Sequence, residues 1–228
     1  MYSLILLNGG IGTRVGAEQP KQFLKINGLP ILVYSLAVID RVAEIGEVIM
    51  NYPPGWRPNV EKLLSDYAVK KPVTLVEAGD TRHASVAAML PHCSFDDVII
   101  HEAARPLVVR EDFTDLIASP EQNVSQMLEV PFTVAPVDPE SGLVTGSIDR
   151  SLLRNVQLPQ KFTKAHLADA HAKAAESGVV FTEDATLVAT SGYRVAFING
   201  RDANFKITTK TDVLLASYLS QEIDVTDE

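Results

Sequence analysis

The chain has 228 residues, 46% hydrophobic and 21% charged, the balance of a folded protein with a sizeable core and not of a disordered chain. Twenty Lys and Arg against 29 Asp and Glu give a formal charge of −9, which argues against a generally basic nucleic-acid-binding face but leaves room for a local cation cluster around a small anion. One cysteine, Cys93, excludes an internal disulfide and suits a reducing compartment as a buried, inert thiol; with no membrane-length apolar run and no basic start to Met1–Asn8, a cytoplasmic protein without membrane or nucleic-acid partners is expected.

Short apolar runs bounded by turn residues read as strands at Leu4–Leu7, Glu47–Asn51, Val73–Val76, Val98–His101, Gln126–Val130 and Val195–Ile198. Stretches with helical spacing lie among and after them, at Ile31–Val42, Val60–Tyr67, Glu111–Ala118, Lys164–Ser177, Glu183–Thr190 and Thr211–Glu222, and a further helix begins near Ser85. Strand-then-helix repetition, with strands apolar almost throughout, predicts a parallel sheet covered on both faces. Pro131 to Asp149 breaks this rhythm. Its prolines, a turn at Glu140-Ser141-Gly142 and the following Leu143–Ile148 predict a polar-tipped hairpin projecting from an α/β body. No repeat or linker interrupts residues 1–228, so a single domain is expected, with a frayed acidic tail at Asp224–Glu228.

The first strand runs into Asn8-Gly9-Gly10-Ile11-Gly12-Thr13-Arg14, where three glycines remove the Cβ atoms that would keep backbone N–H groups from a phosphate. The same glycines also suit a plain structural turn. No Gly-Lys-Ser/Thr follows at Walker spacing, and Val15 stands where a dinucleotide fingerprint needs its third glycine. Arg14 and Lys21, the latter within Pro20-Lys21-Gln22-Phe23, place two cations around the loop. On so acidic a chain they point to a polyphosphate site, with two solvated surface cations as the plain alternative. Gly79-Asp80 could simply cap the helix near Ser85, and Glu102–Arg105 could be a local ion pair. Glu102 nevertheless follows an apolar strand at its carboxyl end, where open α/β sheets bind ligands. His83 and His101 read as structural histidines, and no triad, nucleophile elbow or metal-spaced carboxylate cluster is found.

Several ordered blocks together resemble the signature of the cytidylyltransferases that act on methylerythritol phosphate, shared with the ribitol-phosphate cytidylyltransferases. They are Gly9-Gly10-x-Gly12-x-Arg14, Pro20-Lys21-Gln22-Phe23-Leu24, Gly28-x-Pro30-Ile31-Leu32, Gly79-Asp80-x-Arg82-x-x-Ser85-Val86 and His101-Glu102-Ala103-Ala104-Arg105-Pro106. Asp149-Arg150, Pro159-Gln160-x-Phe162, Thr182-Glu183-Asp184-Ala185 and Asn204-Phe205-Lys206-Ile207-Thr208 follow in the same order.

The resemblance implies a three-layer, Rossmann-like α/β nucleotidyltransferase fold with a β-hairpin dimerisation arm at about 131–151, and transfer of CMP from CTP to a polyol phosphate with release of pyrophosphate. By similarity, Arg14, Lys21 and Lys206 are the catalytic cations, and Mg²⁺ is held mainly by the CTP phosphates. Asn8, Gly9, Gly10, Gly12 and Thr13 cradle the nucleotide with Arg82 and Ala103, while Gly79, Asp80 and Ser85 read cytosine. Glu102, Arg105 and Thr182 contact the acceptor, and Arg150 enters the partner's site in a homodimer. The acceptor expected first is 2-C-methyl-D-erythritol 4-phosphate, in isoprenoid precursor synthesis. Asn8 and Glu102, the latter at a position where the family usually has aspartate, keep a ribitol-type acceptor as the alternative, while Val137-Asp138-Pro139-Glu140 departs from the family pattern in the arm on which the dimer and the Arg150 role rest. A non-catalytic nucleotide-binding protein is the alternative of another class.

Overall fold

The computed structural model describes residues 1–10 and 19–222. Its centre is β1 (Tyr2–Leu7), in which Leu4 and Leu6 point to one face and Ile5 to the other, all wholly buried. A strand apolar on both faces needs cover on both, and the chain supplies it in alternation. After β2 (Lys25–Ile26) and β3 (Leu29–Pro30), a small antiparallel pair, come α1 (Ile31–Asp40), β4 (Ile45–Tyr52), α2 (Arg57–Asp66), β5 (Val73–Glu77) and α3 (Arg82–Met89). Then follow β6 (Asp97–Glu102), α4 (Arg110–Ala118), β7 (Val124–Glu129), β8 (Arg154–Thr163), α5 (Lys164–Ser177), α6 (Asp184–Thr190), β9 (Ala196–Asn199) and α7 (Lys210–Leu219).

Seven strands form one sheet in the order β5-β4-β1-β6-β8-β7-β9, with β8 antiparallel to both of its neighbours and the other pairings parallel. Leu4, Leu6, Val48, Met50 and Ile99 pack under α1, α2 and α4 through residues such as Leu36, Val60 and Phe113. Ile5, Ile49, Val98 and Ile100 meet α3, α5 and α6 through Val86, Leu167 and Leu187. This is the expected three-layer α/β architecture. Helix α7 closes a third cluster with the β2–β3 pair, where Ala216 and Ile207 pack with Ile26, Ile31 and Tyr34. Among the described residues no helix is long and apolar enough to cross a membrane.

The structure corrects three helix boundaries. The helix expected near Ser85 begins at Arg82, because the Thr81 Oγ1 accepts the Ala84 N–H at 3.0 Å and caps it there. Helix α2 starts at Arg57, with Pro58 in its first turn, and α1 stops at Asp40. Helix α7 is α-helical to Leu219, and a 3-10 turn over Ser220–Glu222 carries it to the expected end.

A ten-residue strand, β8, also went unpredicted. It buries Gln157, Gln160 and Lys161, which hides its apolar pattern, and each finds a distant acceptor: Gln157 donates to the Arg201 and Asn204 carbonyls, Gln160 to Ser125 Oγ at 3.0 Å, and Lys161 to the Ser119 carbonyl at 2.7 Å.

Within 131–149, a bridge between Val137 and Val144 and a tight turn at Asp138–Gly142 make a narrow, exposed hairpin. Among the described residues no strand of the hairpin beyond that single bridge is formed over 131–149. Asp224–Glu228 lie outside the described residues.

Candidate active site

A cleft of about 280 Å³ opens at the carboxyl ends of β1, β4 and β6. Gly9 and Gly10 follow the end of β1, Lys21 and Gln22 lie in a short 3-10 helix (Lys21–Phe23), and Asn51 comes from β4. Gly79, Asp80, Arg82 and Ser85 line the second wall, and Glu102, Ala103 and Lys206 the third. Ten expected site residues thus converge from five separate stretches of chain. Gly12, Thr13 and Arg14 lie outside the described residues.

The glycine turn is held by two side chains to which the sequence alone assigns no role. The Asn8 N–H donates to Asn51 Oδ1 and its carbonyl accepts from Gln22 Nε2, both at 2.5 Å, so the Asn8 peptide is gripped on both edges. Asn8 itself is 2% exposed and sits behind the cleft rather than on it. A Cβ on Gly9 would fall 2.6 Å from Asn51 Nδ2 and against the Ala78 methyl, so glycine is required there by close approach. Asn51 is marked in the sequence only as a polar residue closing the apolar run Val48–Met50, and Gln22 only as part of a motif, so neither role is legible there.

On the second wall the Gly79 N–H donates to Ser85 Oγ at 3.1 Å, which ties the turn to α3, while the capping role belongs to Thr81. Asp80 is exposed at the rim. The third wall centres on Glu102, 7% exposed, with Lys206 Nζ at 2.9 Å, Arg105 Nε at 3.5 Å and Arg82 Nε at 3.6 Å. Burial alone would raise this carboxyl, but Lys206, Arg105 and Arg82 outweigh it and hold it at about 2. Three cations against Glu102 and the Asp184 carboxylate behind Arg82 leave this cluster with one net positive charge. Lys21 reaches the same region, donating to the Ile207 carbonyl at 2.7 Å beside Lys206.

Arg105 is turned away from the cleft. Its Nη1 donates to the Asn204 carbonyl at 2.8 Å, so the guanidinium braces the Lys206 segment instead of lining the cleft. Thr182 is exposed and lies off the cleft wall, just before α6. Arg150 lines a separate cavity with Glu129, Asp149 and Arg154, its Nη1 donating to the Pro131 carbonyl at 2.7 Å. Within one chain the structure therefore does not bring Arg150 to the glycine turn. His101 is fully buried against Phe113, its imidazole pushed down to about 3 first by burial and then by Arg105. Cys93 is buried, and burial pushes its thiol up to about 11.

A three-layer α/β fold with a glycine-turned, cation-walled cleft at its strand ends defines a nucleotidyltransferase. The family model described as IspD, 2-C-methyl-D-erythritol 4-phosphate cytidylyltransferase, matches residues 2–222, and the chain belongs to that family. It is 36% identical over 217 residues to the 2-C-methyl-D-erythritol 4-phosphate cytidylyltransferase of Bacillus cereus, covering 95% of this chain and 96% of that protein. It is 30% identical over 232 residues to the ribitol-5-phosphate cytidylyltransferase of Lacticaseibacillus paracasei, covering 97% and 99% respectively. Among solved structures, the 2-C-methyl-D-erythritol 4-phosphate cytidylyltransferase of Thermus thermophilus superposes with a TM-score of 0.78 at 32% identity, covering 97% of this chain and all of that one.

Proposed function

We propose that the enzyme transfers the cytidylyl group of CTP to 2-C-methyl-D-erythritol 4-phosphate and releases pyrophosphate. What carries the reading is the convergence of Gly9–Gly10, Lys21, Gly79–Ser85, Glu102 and Lys206 on one cleft. A phosphate oxygen of the acceptor attacks the α-phosphorus of CTP, the new P–O bond forms, and the bond to the β-phosphate oxygen breaks. The attacking oxygen is largely ionised at neutral pH, since the second pKa of the acceptor phosphate is about 6, so no general base is needed. The work left to the protein is to align two anions and neutralise charge as it builds at the α-phosphorus. Lys21, Arg14 and Lys206 are assigned to that charge, the Gly9–Gly10 backbone and Arg82 to the phosphates, and the Gly79–Ser85 turn to cytosine.

Mg²⁺ enters as part of the substrate, carried on the triphosphate. Among the described residues no group of three or more His, Cys, Asp or Glu gathers to hold a metal, and the one buried carboxylate of the cleft among them, Glu102, is engaged by three cations. We assign Glu102 to orienting the acceptor. The homodimer, with Arg150 reaching the partner's site from the exposed hairpin base, completes the reading, as does a cytoplasmic setting suited to the lone buried thiol.

Pyrophosphate release, followed with CTP and a panel of polyol phosphates, tests it. Turnover should be highest with 2-C-methyl-D-erythritol 4-phosphate. Preference for ribitol 5-phosphate would favour the second reading, which the glutamate at position 102 and the ribitol-phosphate relative support. CTP binding without release with any acceptor would defeat both.

A further inference from the structure

Behind the second wall lies a buried carboxylate to which no substrate contact is assigned. Asp184 opens α6, is 1% exposed, and has Arg82 Nη1 at 2.6 Å from Oδ2 and His171 Nε2 at 3.5 Å from Oδ1. Burial would raise its carboxyl, but Arg82 and then His171 outweigh that and keep it below the usual range, so it stays charged. The helix does not need it as a cap. Glu183 already fills that place, its Oε1 and Oε2 accepting the Ala185 and Thr186 N–H groups at 2.8 Å each, and Gln160 of β8 anchors Glu183 in turn.

The other end of the pair lies in the cleft. The Arg82 guanidinium is planar and rigid, and its Nε stands 3.6 Å from Glu102 while its Nη1 meets Asp184. Lys206, at 2.9 Å, is the nearer cation to Glu102. Free of Asp184, Arg82 could turn further onto Glu102 and compete with Lys206 for it, with one carboxylate left to balance three cations.

We propose that Asp184 is a positioning residue for the transfer reaction: its ion pair with Nη1 fixes the Arg82 guanidinium against the cleft with Nε toward Glu102, while tethering the segment that carries Thr182. The inference rests on the cytidylyltransferase reading and deepens it. Its signature is that Asp184 matters only through Arg82.

The test is a double-mutant cycle of Asp184→Asn and Arg82→Gln, read on kcat/KM for the acceptor and on CTP affinity by calorimetry, at a temperature well below every variant's melting point. Asp184→Asn alone should lower kcat/KM by about tenfold or more, as expected for groups coupled in one charge network. The double variant should be no worse than Arg82→Gln alone, because the residue through which Asp184 acts is gone. Losses that multiply independently in both readouts would overturn the proposal. If Arg82→Gln folds poorly with Asp184 stranded, Arg82→Lys, which keeps the charge but not the two-sided fork, replaces it in the cycle. The calorimetric arm needs no turnover, so a wild type that binds CTP without reacting would defeat the functional reading while the cycle still decides on Asp184.

Discussion

Replacing Glu102 by glutamine removes one negative charge and little volume, which makes it the sharpest probe of the third wall. Held at about 2 instead of the ordinary 4.5, this buried carboxyl contributes about 3 kcal/mol to stability at neutral pH. Its folded pKa is depressed, so the contribution is complete above about pH 4.5 and is lost as pH falls toward 2. Glu102→Gln also strands Lys206, Arg105 and Arg82 together, in line with the ~3–5 kcal/mol typical of breaking a buried pair. For a chain of this size each kcal/mol is worth roughly 2–4 °C, so the variant should melt about 6–12 °C lower at pH 7. Thermal unfolding by circular dichroism in steps from pH 7 to pH 3 is the assay, and the gap should narrow below about pH 4.5, where the unfolded chain's carboxyl takes up a proton that the folded one still refuses. In parallel the acceptor KM should rise while CTP affinity stays near wild type. Equal melting at pH 7, or a gap that persists unchanged to pH 3, would refute the electrostatic account; a large loss of CTP affinity would place Glu102 at the nucleotide.

Arg14→Ala and Lys21→Ala should each lower turnover by about 10²–10³, the usual cost of losing one preorganised donor to developing charge, with melting within a few degrees of wild type; near-normal turnover in either would remove that residue from the catalytic set. Gly9→Ala should cost about 1–3 kcal/mol of stability and weaken CTP binding, since its methyl would meet Asn51 and Ala78. A wild-type melting curve would show that the turn can shift. In competition, CTP should be used well ahead of UTP, because a mismatched buried donor or acceptor at the base costs about 1–3 kcal/mol; equal use would end the case for Gly79–Ser85 as base readers. Mixed Arg14→Ala and Arg150→Ala chains, allowed to exchange subunits, should regain activity at roughly a quarter of all sites, since about half the dimers are mixed and one site in each inherits neither defect. No rescue after demonstrated exchange would mean that Arg150 serves its own chain or neither.

Local pattern was enough to read the central strands, because β1, β4 and β6 carry their apolar residues as continuous runs and the helices between them keep their 3.6-residue period. The ordered motif blocks likewise anticipated the cleft-lining glycines, Lys21, Asp80, Ser85, Glu102 and Lys206, since a resemblance in several blocks carries residues of unlike chemistry together. Strand β8 was different: Gln157, Gln160 and Lys161 look solvent-facing until partners 35 to 47 residues away are folded against them. The same reason hid the roles of Gln22, Asn51 and Asp184, each of which acts by gripping another site residue: Asn8 from both edges, and Arg82 from behind. Arg105 shows the converse, since a cation beside Glu102 in sequence turned its guanidinium to the Asn204 carbonyl. A side chain's type and spacing follow from the sequence. Which buried partner satisfies it is decided only when distant strands and helices bring donors, acceptors and charges within about 3 Å, because an unpaired polar group cannot stay buried.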